Sequence, residues 1–166
     1  MRRRAMGLAI LFAGATGTPA FAGDWKFVAD DGGGHAVLTY SEDSKVTFML
    51  GCGHAFVLHV KYPGEAKKDG AATIVLASGK QSMTLKGEFE VPEDESATTF
   101  TQVDLGYRRQ DPGLYEKKWE KLRDQLLDLM DSGQPLKISA GGNQNSSTTF
   151  PPIAAPGWRK ALGECG

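Results

Sequence analysis

The side chains best suited to chemistry in this 166-residue chain are its three histidines and two cysteines. Cys52-Gly53-His54 stands shortly before His59, and a thiolate with two imidazoles is copper- or zinc-ligand material. The spacing works against a shared ion. His59 lies in a run, His54 to Tyr62, whose alternation turns Phe56, Leu58 and Val60 to one face and His59 and Lys61 to the other. Cys52 belongs to the apolar face of the run before it, so Cys52 and His59 could meet at one ion only through a bulge. His54 and His59 are the weak metal candidates. The competing reading is a disulfide cysteine beside ordinary surface histidines, and no metal or cofactor is assigned.

The remaining patterns carry less. Gly32-Gly33-Gly34 lacks a following helix and a Lys-Ser/Thr pair, so it is not a phosphate loop. The Gly-x-Ser-x-Gly signature of a nucleophile elbow does not occur. Asp104 with Asp111, or Asp24 with Asp30, could pair as acid and base, but a chain with 20 acidic residues offers such pairs by chance. No catalytic residue is assigned. Trp25, Tyr40, Tyr62, Tyr107, Tyr115 and Trp158 could line a groove, although Trp25, Trp119 and Trp158 read as core anchors.

The N-terminus sets the compartment. Arg2-Arg3-Arg4 is a basic region without an acid, and an apolar stretch runs from Ala5 to about Ala15. Thr16-Gly17-Thr18-Pro19 breaks it, and Ala20-Phe21-Ala22 is a small-x-small cleavage site, which predicts a signal peptide cut between Ala22 and Gly23. The apolar stretch is too short for a bilayer, which needs about 20 residues. No cysteine stands at the junction to take a lipid. The leader removes three of 19 basic residues and none of the 20 acidic ones, so residues 23–166 are mildly acidic. With Lys67-Lys68 and Arg108-Arg109 as isolated basic pairs, that charge argues against nucleic acid. No second long apolar run follows, so no transmembrane segment is expected after signal removal.

An exported chain with an even cysteine count points to one intramolecular disulfide, Cys52 to Cys165. It would close a loop of about 113 residues, which the chain-entropy argument values at roughly 4–5 kcal/mol.

The elements that must position these residues come from periodicity. Turn signals recur every eight to twelve residues through the first two-thirds, as in all-β domains. Strands are expected at Trp25–Ala29, His35–Tyr40, Lys45–Cys52, His54–Tyr62, Ala72–Ala77, Ser82–Glu90 and Ala97–Leu105. In Lys45–Cys52 the residues Val46, Phe48, Leu50 and Cys52 share the core face, and Lys45, Thr47 and Met49 the other. Asp111-Pro112 then starts a helix, with Trp119, Leu122, Leu126, Leu129 and Met130 as its apolar stripe and Gly133 as its stop. A strand returns at Pro135–Ala140. Gly141 to Thr149 reads as a polar loop and Phe150–Ile153 as a rigid extended stretch. A short helix from Pro156 places Trp158 and Leu162 one turn apart and ends near Cys165. The result is one domain over residues 23–166. Its class is α+β, mostly β: an antiparallel β-sandwich or strongly curved sheet covered by one amphipathic helix, with a short C-terminal helix.

This layout resembles small exported bacterial β-domain proteins, of the invasion-associated locus B type and the type VI secretion accessory VasI type. The points of likeness are the leader, the early Trp25, the strand ending in Leu50 and Cys52, one helix before Leu136–Ser139, and the terminal helix Ala161 to Cys165. The resemblance implies a disulfide-bonded β-sandwich without enzymatic activity and transfers no site residue. The expected function is an exported, non-enzymatic interaction or binding module of the bacterial envelope, in the periplasm or outside the cell, whose partner would be another envelope or secreted protein. The alternatives are a small-ligand or metal (copper or zinc) binder and an enzyme acting on envelope polymers.

Overall fold

The computed structural model describes residues 23–30, 34–53, 56–61, 70–90, 100–104, 112–140 and 147–164. Residues 1–22, His54 and Cys165 lie outside them. The described elements run β1 (Gly23–Ala29), β2 (Ala36–Glu42), β3 (Lys45–Cys52), β4 (Phe56–Lys61), β5 (Gly70–Ser78), β6 (Gln81–Glu90), β7 (Phe100–Asp104), α1 (Pro112–Met130), β8 (Leu136–Ala140), β9 (Ser147–Phe150) and α2 (Trp158–Gly163). The described chain is mostly β with two helices, in the class expected.

The strands form one antiparallel sheet in the order β1-β2-β3-β4-β7-β6-β5-β8-β9. Sequential hairpins build β1 to β4 and then β5 with β6. β7 joins the two groups, and β8 and β9 extend the far side. Period-two alternation decides which face is dry. Ala36, Leu38 and Tyr40 of β2 are buried with Phe48, Leu50 and Cys52 of β3 and Phe56, Leu58 and Val60 of β4. On the other side of the core stand Ile74 and Leu76 of β5, Leu85 of β6, Leu136 and Ile138 of β8 and Phe150 of β9.

A flat sheet of this order would part β1 from β9 by eight strand spacings, roughly 38 Å. Instead the two edges meet. The Phe150 ring centroid lies 6.1 Å from Trp25 of β1, 5.3 Å from Tyr40 of β2 and 5.4 Å from Phe48 of β3. The indole Nε1 of Trp25 donates to the Pro151 carbonyl at 3.0 Å. The sheet is therefore strongly curved, with β1–β4 facing β6-β5-β8-β9 across one core.

The core face of β3 is corrected in one place. The register of β2 against β3 shifts between Tyr40 and Ser41, so that Tyr40 faces Phe48 while Ser41 faces Val46. Thr47 is the extra residue of a β-bulge, and a bulge inverts the alternation beyond it. Thr47 is buried and donates its hydroxyl to the Tyr40 carbonyl, while Val46, expected inside, is 47% exposed. The turn beyond is tight. Asp43 and Ser44 both have positive φ, 48° and 64°, as a two-residue hairpin of right-handed twist requires.

α1 forms where the apolar period changes from two to between three and four. Leu126, Leu129 and Met130 are buried, Leu122 is half-buried, and Leu127 adds a buried residue to the expected stripe. Glu120, Lys121, Asp124 and Asp128 are exposed. The helix packs on β5, β6 and α2. Each fully buried leucine contributes roughly 1.5–3 kcal/mol. Gly133, at φ 70°, turns the chain back to β8. Buried Ser78 fastens that turn: it donates to the Gln134 carbonyl at 3.2 Å and shares a short hydrogen bond with Ser132. The polar stretch before Phe150 is not all loop, since Ser147–Phe150 pairs with β8 as β9. α2 docks on β2 and α1 with Trp158 and Leu162 buried, and Arg159 reaches Asp128 of α1 at 2.6 Å.

Candidate functional site

Two places on the β1–β3 side hold polar side chains in defined geometry. The first is the end of the sheet where β1 passes to β2 and β3 ends at Cys52. Ala36 pairs with Cys52, so His35 projects beside Gly53. A Cβ on Gly53 would stand 2.6 Å from Cδ2 of the His35 ring, which explains the glycine: only a bare backbone admits that ring. Asp30 holds His35 from below. Its carboxylate accepts the His35 backbone N–H at 3.0 Å and meets Nδ1 at 3.1 Å. That backbone N–H, and then the ring, keep the Asp30 carboxyl below its ordinary 3.8. Both side chains are exposed.

Cys52 is buried beneath this corner. Cys165, the only other cysteine of the sequence, lies outside the described residues.

The second place is the start of β1. Tyr40 is fully buried except for the work of its hydroxyl, which accepts the Gly23 backbone N–H at 3.1 Å. Burial, and then the Glu42 carboxylate, push the phenol above its ordinary 10.0.

The expected metal candidates are not brought together by the described chain. His59 lies on the outer face of β4, opposite Met49 of β3 and Gln102 of β7, while Cys52 is inside. His54 lies outside the described residues. Among the described residues no group of three His, Cys, Asp or Glu could hold a metal. Asp24 and Asp30 stand at opposite ends of β1: Asp24 pairs with Ser41, and Asp30, just past the strand, engages His35. Asp111, Tyr62 and Tyr107 lie outside the described residues, as do the side chains of Asp104, Tyr115 and Trp119. Of the groove aromatics, Trp158 is core, and Trp25 is half-buried with its ring 5.1 Å from Tyr40 and 5.3 Å from Phe48. Sequence reasoning missed the Asp30–His35 pair. The only signal was an Asp and a His bracketing a glycine-rich turn.

The same side of the molecule presents a strand edge. The Asp30 N–H donates to the His35 carbonyl at 3.1 Å, which marks this as a hydrogen-bonded antiparallel pair. Alternation then sends the N–H and C=O groups of Val28, Lys26 and Asp24 toward β2, and those of Trp25, Phe27 and Ala29 away from it. Among the described strands β1 has only β2 as its neighbour in the sheet. On its outer side Val28 is 69% exposed, in a row with half-buried Val37 and Val57 across Gly51. Among the described residues no helix is long and apolar enough to cross a membrane. No protein-family model, no curated protein and no solved structure matches the chain.

Proposed function

We propose that the chain is exported after removal of residues 1–22 and acts in the periplasm or outside the cell as a non-enzymatic interaction module. Its β1 edge takes an extended segment of an envelope or secreted protein, and a Cys52–Cys165 bridge holds the domain closed. The likeness of layout to the locus B and VasI types belongs to the same reading.

The observation that carries it is the β1 edge. It is a seven-residue strand, Gly23–Ala29, without proline. It directs the backbone groups of Trp25, Phe27 and Ala29 outward beside the exposed Val28. Such an edge recognises the backbone of an added strand, while alternate side chains supply selectivity.

A photo-crosslinking residue at Val28, in cells that export the protein, tests the reading. Val28 should yield a protein adduct, and Thr149, exposed on β9, should not. Ala29→Pro, which removes an outward N–H, should abolish the Val28 adduct. Equal adducts from both positions, or none from Val28, overturn the proposal. The bridge has its own test: denatured, unreduced protein should contain no free thiol, and Cys165→Ser should cost roughly 2–5 kcal/mol of stability.

A further inference from the structure

β1 begins at Gly23, the residue that follows Ala20-Phe21-Ala22. Its nitrogen already has a receiver in the fold, the Tyr40 hydroxyl at 3.1 Å. Its α-carbon has no room for a side chain. A Cβ there would collide with the Ser41 carbonyl oxygen and stand 2.6 Å from Cζ of the Tyr40 ring. Glu42 lies directly opposite Gly23 in the β1–β2 pairing, and Asp24 follows it. The carboxylates of Glu42 and Asp24 both act on the Tyr40 hydroxyl. One neutral amide N–H thus occupies a corner furnished with a hydroxyl and two carboxylates.

We propose that this corner is a docking site for the mature N-terminus: hydrolysis of the Ala22–Gly23 bond creates an ammonium on Gly23 that Tyr40, Glu42 and Asp24 hold in place. The proposal rests on the reading that residues 1–22 are a leader. In the hydrolysis a leader peptidase and water break the C–N bond. The hydroxyl of water goes to the Ala22 carbonyl carbon and its hydrogen to the Gly23 nitrogen. At neutral pH the amine gains a proton and the new Ala22 carboxyl loses one. The site changes from a neutral group with one donor to a cation with three. A hydroxyl oxygen and two carboxylates suit the cation better than the amide. Lys45 stands opposite Glu42 from β3 and is exposed, a cation that would compete with the ammonium for Glu42 from the far side. The glycine has a positive reason here, because any larger first residue would push the amine off Tyr40. Processing then completes the edge strand instead of leaving a frayed end.

The test uses oxidised protein made to start at Gly23 by cutting a fusion, so it does not depend on cellular processing. The pH dependence of α-amine acylation gives the amine pKa. It should lie above the ordinary value of about 7.7–8.0 and fall toward it in Glu42→Gln. At neutral pH the folded amine should react about tenfold more slowly than the same amine in urea, the equivalent of one pKa unit. A chain beginning at Ala22 should show an ordinary amine and a lower melting temperature. Lys26→Gln, on the same strand but directed at Thr39, should change none of these. An amine as reactive folded as unfolded, or a Glu42→Gln chain with an unchanged amine pKa, overturns the docking. Intact mass of the naturally exported protein judges the leader separately. A start other than Gly23 there refutes the processing, while the acylation result still decides whether the corner binds an ammonium.

Discussion

The two edges of the sheet are built to opposite rules. β9 has four residues and runs straight into Pro151-Pro152, which have no N–H to offer. Its last side chain, Phe150, is buried beneath three rings of the other edge. β1 has seven residues and no proline. Natural sheets blunt their edges with short strands and proline, and β9 does both. β1 does neither. The chain holds its seam together with side chains contributed to the core, and among the described strands β1 is paired on one side alone. This asymmetry is the physical basis for reading β1 as the working edge.

The largest effect expected from breaking it is on the blunted side. Phe150→Ala removes the ring on which Trp25, Tyr40 and Phe48 converge. Loss of a buried phenylalanine costs about 3–5 kcal/mol, to be read from denaturant midpoints. A cost near zero would mean the edges are held by something other than this cluster.

Proline placement sharpens the comparison on the other side. Val28 directs its N–H to β2, so Val28→Pro should lose a ladder bond and strand a carbonyl of Val37, at about 1–3 kcal/mol. Ala29 directs its N–H outward, so Ala29→Pro should stay within about 0.5 kcal/mol, as surface changes usually do. Equal costs at the two positions would reverse the assignment of the edge groups. A smaller effect belongs to a polar link across the seam. Trp25→Phe keeps most of the ring contacts but loses the Nε1 bond to Pro151, for about 0.5–1.5 kcal/mol.

The asymmetry was only half legible in the sequence. The strands with clean alternation and the helix with a capped apolar stripe could be read because each is specified locally. Phe56, Leu58 and Val60, or Leu126, Leu129 and Met130, repeat at the period of their own element. Alternation alone puts Val46 inside because a bulge adds a residue without leaving a mark in the pattern, and Thr47 can go inside only because the Tyr40 carbonyl accepts its hydroxyl. Ser147, Thr148 and Thr149 show no alternation, and only pairing with β8 makes them a strand. Local patterns leave a sandwich and a curved sheet equally open, and the curvature decides between them. It depends on Phe150 meeting Trp25 across 125 positions of chain, which no local period records. The polar corners were hidden for a similar reason. Gly23 and Gly53 look like ordinary glycines until the side chains that crowd them, Tyr40 and His35, are in place.

The smallest effect concerns how β1 ends. Asp30 lies just past the strand, and its carboxylate ties the turn back to His35 above Gly53. Because those hydrogen bonds favour the ionised form, the folded carboxyl titrates below its ordinary 3.8. A carboxyl with a depressed folded value stabilises the protein above its unfolded value. That contribution is lost as pH falls from 3.8 through the folded value. Asp30→Asn should therefore leave stability nearly unchanged at acid pH and lower it slightly near neutrality, flattening the acid limb of a stability–pH curve. Both groups are exposed, so salt should weaken the difference. β9 provides an internal control, since Ser147, Thr148, Thr149 and Phe150 carry no ionisable group. If the seam opened in acid because of Asp30, the fluorescence of Trp25 would change in step with the carboxyl. If Asp30 only anchors the turn, Trp25 should report no change until the whole domain unfolds. The second outcome is expected, because the rings around Trp25 and its bond to Pro151 involve no carboxyl and do not titrate in that range.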